Sequence, residues 1–429
     1  MTRPVRHVIA SAAALAALAG CRPAPAGPAL SDLALDRAIG YLDSLLARDP
    51  GNPIVAAQIA GRLVLRFGRS ADLRDLERAE GLAVTAQRLA RDTAAATARV
   101  AGIRLMRHDF SGALQAAREA VAANPASSDA QGILLEAALA AGDTLAASEA
   151  AHRLDRRSAE GRIRYGLWLD ARGHGEAALR QLNAACSALD RSGGLADGVA
   201  WCWTQHANLV RAQRGAGPAR ALYRDVLARF PGTRGAAEGL AAIAVAEGDL
   251  GGAARLLGPL LSDAHPDLYL RLAEIRRKEG DREEAASLTD RFLRAVTAPD
   301  AEPLFGNLLA LHYLESADPA LRDSALALAR RDVARRPTAD TWDLLGWVLL
   351  ARGDWVGALA ASDRAVALGP LSPAAGYHRA RILEASARPI EAAELLAAAR
   401  ARLDLLPPDL LRDLARRERA PTAAAGEGG

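Results

Sequence analysis

The residue types that most often carry catalysis or bind metal ions are scattered along this sequence of 429 residues. No pair among the eight histidines has the spacing that would place two metal ligands on one helix face. The sequence also lacks a glycine-rich phosphate loop and a nucleophile elbow. Glu283 and Glu284 fall in the first turn of a predicted helix, where the dipole favours acids, and His312 and Tyr313 are predicted to pack between helices. We therefore predict no catalytic residue, no metal ion and no cofactor.

The first of the three cysteines, Cys21, follows a segment typical of an export signal. Arg3 and Arg6 give a positive start, and a small apolar run of 13 residues, 8–20, follows them. This run is short for a membrane-spanning helix, which needs about 20 residues. The last residues of the run together with the cysteine, Leu-Ala-Gly-Cys at 18–21, resemble the lipobox of bacterial lipoproteins.

The lipobox resemblance implies that residues 1–20 are removed as a signal peptide and that the thiol of Cys21 carries the lipid. Membrane contact would then be made through the lipid anchor only. Enterobacterial lipoproteins kept in the inner membrane resemble one another in having Asp after the cysteine, whereas this chain has Arg22. We therefore expect a place in the cell envelope, at the outer membrane. A transmembrane anchor and an ordinary secretory signal are the alternatives.

The sequence repeats with a period of 34 residues that predicts paired helices, and the repeat is clearest from Ala339 to Ser372. Its skeleton consists of Trp342, Leu345-Gly346, Gly353-Asp354, Ala358, Ala365 and Pro370. The small residues let two helices approach closely, Gly-Asp supplies a tight turn, and proline ends the second helix. A similar skeleton extends from Ala94 to Ser127. One such hairpin cannot bury its apolar face alone, so neighbouring hairpins must stack.

This pattern resembles that of the tetratricopeptide repeat (TPR) family, which is complete at residues 339–370 and degenerate over most of the chain. The resemblance implies an all-α, α-α superhelix of about ten helical hairpins. An unrelated alanine-rich helical solenoid is the alternative. The further units are expected at 128–158, 159–192, 200–233, 234–265, 266–299 and 373–406, with longer turns in 54–90 and 302–338. Pro259 lies inside one second helix and is expected to kink or shorten it.

The chain therefore divides into five expected segments. Residues 1–20 are the signal peptide, and residues 21–31 are the lipidated cysteine with a Pro/Ala linker. The solenoid spans residues 32–406. Residues 407–419 are expected to form a charged capping helix, and residues 420–429 a disordered tail.

The other two cysteines, Cys186 and Cys202, fall near the end of one predicted second helix and near the start of the next first helix. Such elements are adjacent in a solenoid, and an exported chain would reach a compartment that permits a disulfide. We therefore expect a Cys186–Cys202 bridge. Two buried free thiols are the alternative, because cysteine packs well between helices.

The TPR resemblance also places a binding surface. In that family the first helix of each hairpin lines a concave groove, and residues about one turn apart on it face the ligand. The matching positions of this sequence are Trp201, Asn208, Arg211, Glu274, Arg277, Lys278, Asp343, Trp347, Tyr377 and Arg381. Aromatic and arginine side chains are favoured at interface hot spots. The alternative is that these are ordinary seam or exposed residues. The family's clamp for carboxylate tails is not predicted, because Thr204 stands where a basic residue is needed.

The balance of charge is unremarkable. The net charge is +3, and removing residues 1–20 takes away Arg3, Arg6 and no acid, which leaves +1. Nucleic-acid binding is not expected from so small an excess. We predict a lipid-anchored scaffold that binds a protein or peptide partner in its groove, in cell-envelope assembly or secretion. A carbohydrate-associated role, with Trp201, Trp347 and Tyr377 stacking on sugars, and a structural subunit of a surface assembly are the alternatives.

Overall fold

A computed structural model describes residues 32–417, apart from residues 71, 91, 299–300, 317 and 408–409. Within these residues every regular element is a helix, and there is no strand. Helix α1 (Asp32–Arg48) precedes a series of ten hairpins and packs on the first of them. The predicted fold class, an all-α, TPR-like superhelix, is confirmed.

The hairpins follow the chain order, and each pairs a first helix with a second. They are α2 (Pro53–Ser70) with α3 (Leu73–Leu89), α4 (Thr93–Met106) with α5 (Phe110–Ala123), α6 (Ser128–Ala141) with α7 (Thr144–Arg153), α8 (Ala159–Ala171) with α9 (Gly175–Arg191), α10 (Ala196–Arg214) with α11 (Ala216–Arg229), α12 (Arg234–Ala246) with α13 (Leu250–Leu257), α14 (Asp267–Glu279) with α15 (Arg282–Val296), α16 (Glu302–Leu314) with α17 (Pro319–Arg335), α18 (Ala339–Ala351) with α19 (Trp355–Leu368), and α20 (Pro373–Ala385) with α21 (Pro389–Arg400). A last helix, α22, covers residues 410–417.

The turns inside the hairpins have the structure that the Gly-Asp pairs predict. Gly353 has a φ of +81°, a left-handed conformation that glycine adopts without steric cost. Asp354 then caps α19, because its Oδ1 accepts a hydrogen bond from the main-chain N–H of Gly357 at 2.8 Å. Asp143, Asp249 and Asp281 cap their second helices in the same way.

Small residues bring the two helices of a hairpin together. A Cβ on Gly346 of α18 would lie 3.2 Å from the main-chain oxygen of Ala358 on α19, so the helices leave little room for a side chain there. Ala358 and Ala365 are buried on the facing side. Pro259 acts as predicted, since α13 ends at Leu257 and a 3-10 turn, Gly258–Leu260, replaces the rest of the helix.

The first helices form the inner layer of the solenoid. They contact one another between consecutive hairpins, as α4 with α6, α6 with α8, α10 with α12, α16 with α18 and α18 with α20. Each second helix packs against its own first helix, and those from α3 to α19 also pack against the first helix of the next hairpin. No two second helices of the described chain pack together to a comparable extent. The stack must therefore curve with its first helices on the concave side.

The solenoid is wound tightly enough for distant hairpins to touch. The ring of His108 is hydrogen-bonded through Nδ1 to the carbonyl oxygen of Pro303, 195 residues away in the sequence. A Cβ on Gly142 would lie only 2.4 Å from the carbonyl oxygen of Pro337. In the same way, Gly173 in the turn of the next hairpin lies against Pro370, which is in the loop before the last hairpin. The turns inside the third and fourth hairpins thus pack on the loops that precede the ninth and tenth hairpins. The repeat pattern did not predict this contact.

Candidate binding groove

The residues predicted for the groove lie on four first helices, α10, α14, α18 and α20, and therefore on the concave layer. Their accessibility differs widely. Arg277 and Lys278 are exposed, whereas Trp201, Asn208, Arg211, Trp347 and Arg381 are partly buried. Glu274, Asp343 and Tyr377 are 7%, 4% and 0% exposed. These last three cannot offer an open surface, so that part of the prediction is corrected.

On α10, two of the predicted side chains have unpaired nitrogens. Trp201 Nε1 and Arg211 Nε and Nη1 are buried and have no hydrogen-bond partner among the described residues. Asn208 differs, because its Oδ1 accepts a 2.6 Å hydrogen bond from the hydroxyl of Tyr223 on α11. Burial raises the pKa of Tyr223 to about 12, so the hydroxyl keeps its proton and donates. Asn208 thus fixes the inner helix to its hairpin partner.

On α18 and α20, a buried cluster joins two consecutive hairpins. Asp343 Oδ2 lies 2.9 Å from Nδ1 of His378. The ring of Trp347 stacks on the same histidine, with ring centroids 4.3 Å apart. Since Asp343 and Trp347 already contact His378, they stabilise the seam between α18 and α20.

Tyr377 and Arg381 are engaged by the end of the chain. The hydroxyl of Tyr377 donates to Oδ2 of Asp413 at 2.7 Å, and Nη1 of Arg381 contacts the same oxygen at 2.6 Å. Burial and the hydrogen bond to Asp413 both raise the pKa of Tyr377. Sugars stack on the face of an aromatic ring, and Tyr377 is 0% exposed, so its ring is not open to a sugar as the carbohydrate alternative requires.

Asp413 belongs to a stretch that crosses the concave face, here called the C-terminal segment (the described residues 402–407 and 410–417). At its start, the guanidinium of Arg402 donates to the main-chain oxygens of Arg211 and Ala212 at the end of α10. The 3-10 turn Leu403–Leu405 then packs on α12. The segment therefore begins at the fifth hairpin, five hairpins before the last one, on which a simple cap would stay.

Helix α22 completes the crossing. Arg412 is paired with Glu274 of α14 at 2.5 Å and with Glu315, just after α16, at 2.9 Å. Arg417 is paired with Glu384 of α20 at 2.9 Å. Glu274 is therefore buried for a physical reason, since it lies between Arg277 of its own helix and Arg412 of the segment.

The apolar side of α22 covers the last hairpin. Leu406, Leu410 and Leu414 are buried in one cluster with Tyr377 and Leu383 of α20. Covering this face is what a solenoid's last hairpin needs. The sequence predicted residues 407–419 as a charged capping helix, and it did not predict the contacts with α14 and α16. The Leu410/Leu414 spacing was the available signal.

A buried ion pair in the other half of the inner layer was missed by the sequence analysis. Arg164 Nε on α8 donates to Oε1 of Glu136 on α6 at 2.8 Å, and both side chains are buried. Gly132 makes room for the arginine, because a Cβ there would lie 2.6 Å from it. Burial raises the pKa of Glu136, while the charge of Arg164 acts in the opposite direction. Gly132, one helical turn before Glu136, was the feature of the sequence that indicated this pair.

The two distal cysteines meet in the seam between α9 and α10. The structure joins Cys186 and Cys202 in a disulfide, with their Cα atoms 5.5 Å apart, and both residues are fully buried. Cys202 directly follows Trp201 on α10. The bridge therefore fixes the position of that inner helix relative to the hairpin before it.

The remaining site predictions concern chemistry and anchoring. Among the described residues, no three His, Cys, Asp or Glu side chains are grouped as metal ligands would be. In the same part of the chain, every helix is too short or too polar to span a lipid bilayer. The signal peptide, Cys21, residues 22–31 and the tail 420–429 lie outside the described residues.

Neither a family model nor a curated protein matches the sequence. Among solved structures, the chain is similar to the human IFIT1 dimer with PPP-AAAA, at 14% identity and a TM-score of 0.42 over 79% of this chain and 95% of that one. Yeast Tom70 matches at 15% identity and a TM-score of 0.35, over 86% and 81%. PilF of Pseudomonas aeruginosa matches at 17% identity and a TM-score of 0.37, over 49% and 95%. The assignment of a TPR-like fold rests on the hairpin geometry of this chain, since similarities of this size carry no functional argument.

Proposed function

We propose that the mature chain is a lipid-anchored scaffold of the cell envelope that binds a protein or peptide partner on its concave face and performs no catalysis itself. The observation that carries this proposal is the C-terminal segment lying across the first helices. A surface that holds one helical segment through leucines, ion pairs and a tyrosine hydroxyl has the chemistry to hold another. The lipobox-like sequence ending at Cys21 supports the lipid anchor, and Arg22 in place of Asp after the cysteine supports the outer membrane.

Site-specific photo-crosslinking in membranes tests both halves of this proposal. A photoreactive residue at Arg277, whose side chain is 47% exposed on α14, should crosslink a discrete protein partner. The matched control is the same residue at Ile390 of α21, which is 83% exposed on a second helix and should give no such product. In a Cys21→Ser chain the protein should leave the membrane fraction and lose palmitate labelling.

Two results would contradict the proposal. Identical products from Arg277 and Ile390 would show that the concave face has no special role. Retention of palmitate in the Cys21→Ser chain would show that the anchor lies elsewhere.

A further inference from the structure

We infer that the surface beneath the C-terminal segment is the partner-binding part of the groove, that its partner is a basic amphipathic helix, and that the segment competes with this partner from within the same chain. The inference rests on the proposed function and specifies the class of partner. It follows from where the segment lies, from the charges it meets and from the kinds of contact that hold it.

The extent of the segment exceeds what a cap requires. Covering the last apolar face needs contact with α20 and α21 only, which Leu410 and Leu414 provide. The segment also reaches the end of α10 through Arg402 and reaches α14 through Arg412. It thus lies along the same inner layer that the TPR resemblance assigns to ligands.

The charges on the two sides are complementary. The inner face offers Glu274, Glu315 and Glu384, which are separated along the stack and meet Arg412 and Arg417. Arg381 of the same face meets Asp413, and Arg277 and Arg381 also pair with Glu274 and Glu384 on their own helices. Ion pairs of this kind fix the register and orientation of a bound helix more than they add affinity. A partner that fits must therefore carry basic side chains flanking an apolar stripe.

The contacts that hold the segment are individually small, and a partner of the same chemistry can replace them. Burying a leucine side chain contributes about 1.5–3 kcal/mol as an upper value, and the segment buries Leu406, Leu410 and Leu414. The Arg412 side chain is 37% exposed and that of Arg417 is 36% exposed, and such ion pairs contribute about 0–1 kcal/mol each. Tethering keeps the segment in place by giving it an effective concentration on the order of millimolar.

Binding of a labelled synthetic peptide with the sequence of residues 402–417 to the full chain tests the inference. The wild-type chain should bind this probe weakly, because its own segment occupies the surface. The Arg412→Glu chain keeps Glu274 and Glu315 but repels its own segment, and it should bind the probe at least about tenfold more tightly. Leu414→Asp releases the segment by a different contact and should give a similar gain. Added salt should weaken probe binding to both variants.

Arg416→Glu is the matched control, because it makes the same charge change at a side chain that is 76% exposed and paired within α22 to Asp413. It should bind the probe as the wild type does. Equal binding to all four chains would overturn the inference. A concentration-dependent dimer of the Arg412→Glu chain would assign the surface to a second copy and would also overturn it. If the probe fails while the Arg277 crosslink persists, the partner class is wrong but protein binding stands.

Discussion

At the scale of single residues, several buried side chains of the inner helices bind one another. Asp343 is hydrogen-bonded to His378, and Glu136 is ion-paired with Arg164. Removing one partner of the buried ion pair costs about 3–5 kcal/mol, and leaving a buried hydrogen-bonding group without its partner costs about 1–3 kcal/mol. Loss of function after a substitution at Asp343 would therefore report on folding. Arg277 and Lys278, which are exposed, are the better positions for testing binding.

A comparison of two glycines, Gly142 and Gly353, tests the contact between distant hairpins. Gly142 and Gly353 both have left-handed φ values, +74° and +81°, but only Gly142 lies against another hairpin, at the carbonyl of Pro337. Alanine at Gly353 should cost about 1 kcal/mol of unfolding free energy, for the backbone conformation alone. Gly142→Ala should cost about 1–3 kcal/mol more, because the coils must also separate. Chemical denaturation measures both, and equal losses would argue against the contact between coils.

At the scale of elements, the hairpins were predictable because their signals are local. Gly353-Asp354 and Pro370 mark a turn and a helix end within a few residues, and Ala358 marks the close contact. The position of α22 was not predictable in this way. Its contacts join Arg412 to Glu274, which lie far apart in the sequence and become neighbours only once the stack has curved. The burial of Tyr377 was missed for the same reason.

The disulfide gives an element-scale prediction. The bridge closes a loop with a sequence separation of 16 residues between α9 and α10. Reduction should lower the free energy of unfolding by about 3 kcal/mol in the chain-entropy model. Equilibrium denaturation with and without reductant measures this difference. The Cys186→Ser, Cys202→Ser double variant is the control, since reductant should leave its stability unchanged. A wild-type chain equally insensitive to reductant would mean that the bridge is absent in solution.

At the scale of the whole molecule, the winding decides how much of the inner face is open. Superhelical pitch arises from small rotations between hairpins, which accumulate along the stack and leave no local mark in the sequence. Here they bring Gly142 to Pro337 and Gly173 to Pro370, and they curve the stack around the C-terminal segment. The open inner curve expected from the repeats is therefore partly filled by the chain itself.

Amide hydrogen exchange of α22 (residues 410–417) in the full wild-type chain tests this account most directly. We predict that these amides exchange slowly, and that Arg412→Glu accelerates exchange both in α22 and on the inner face of α20, while Arg416→Glu changes neither. Exchange of α22 at the rate of an unstructured peptide in the wild-type chain, or no response to Arg412→Glu, would contradict a concave face occupied by the chain's own helix.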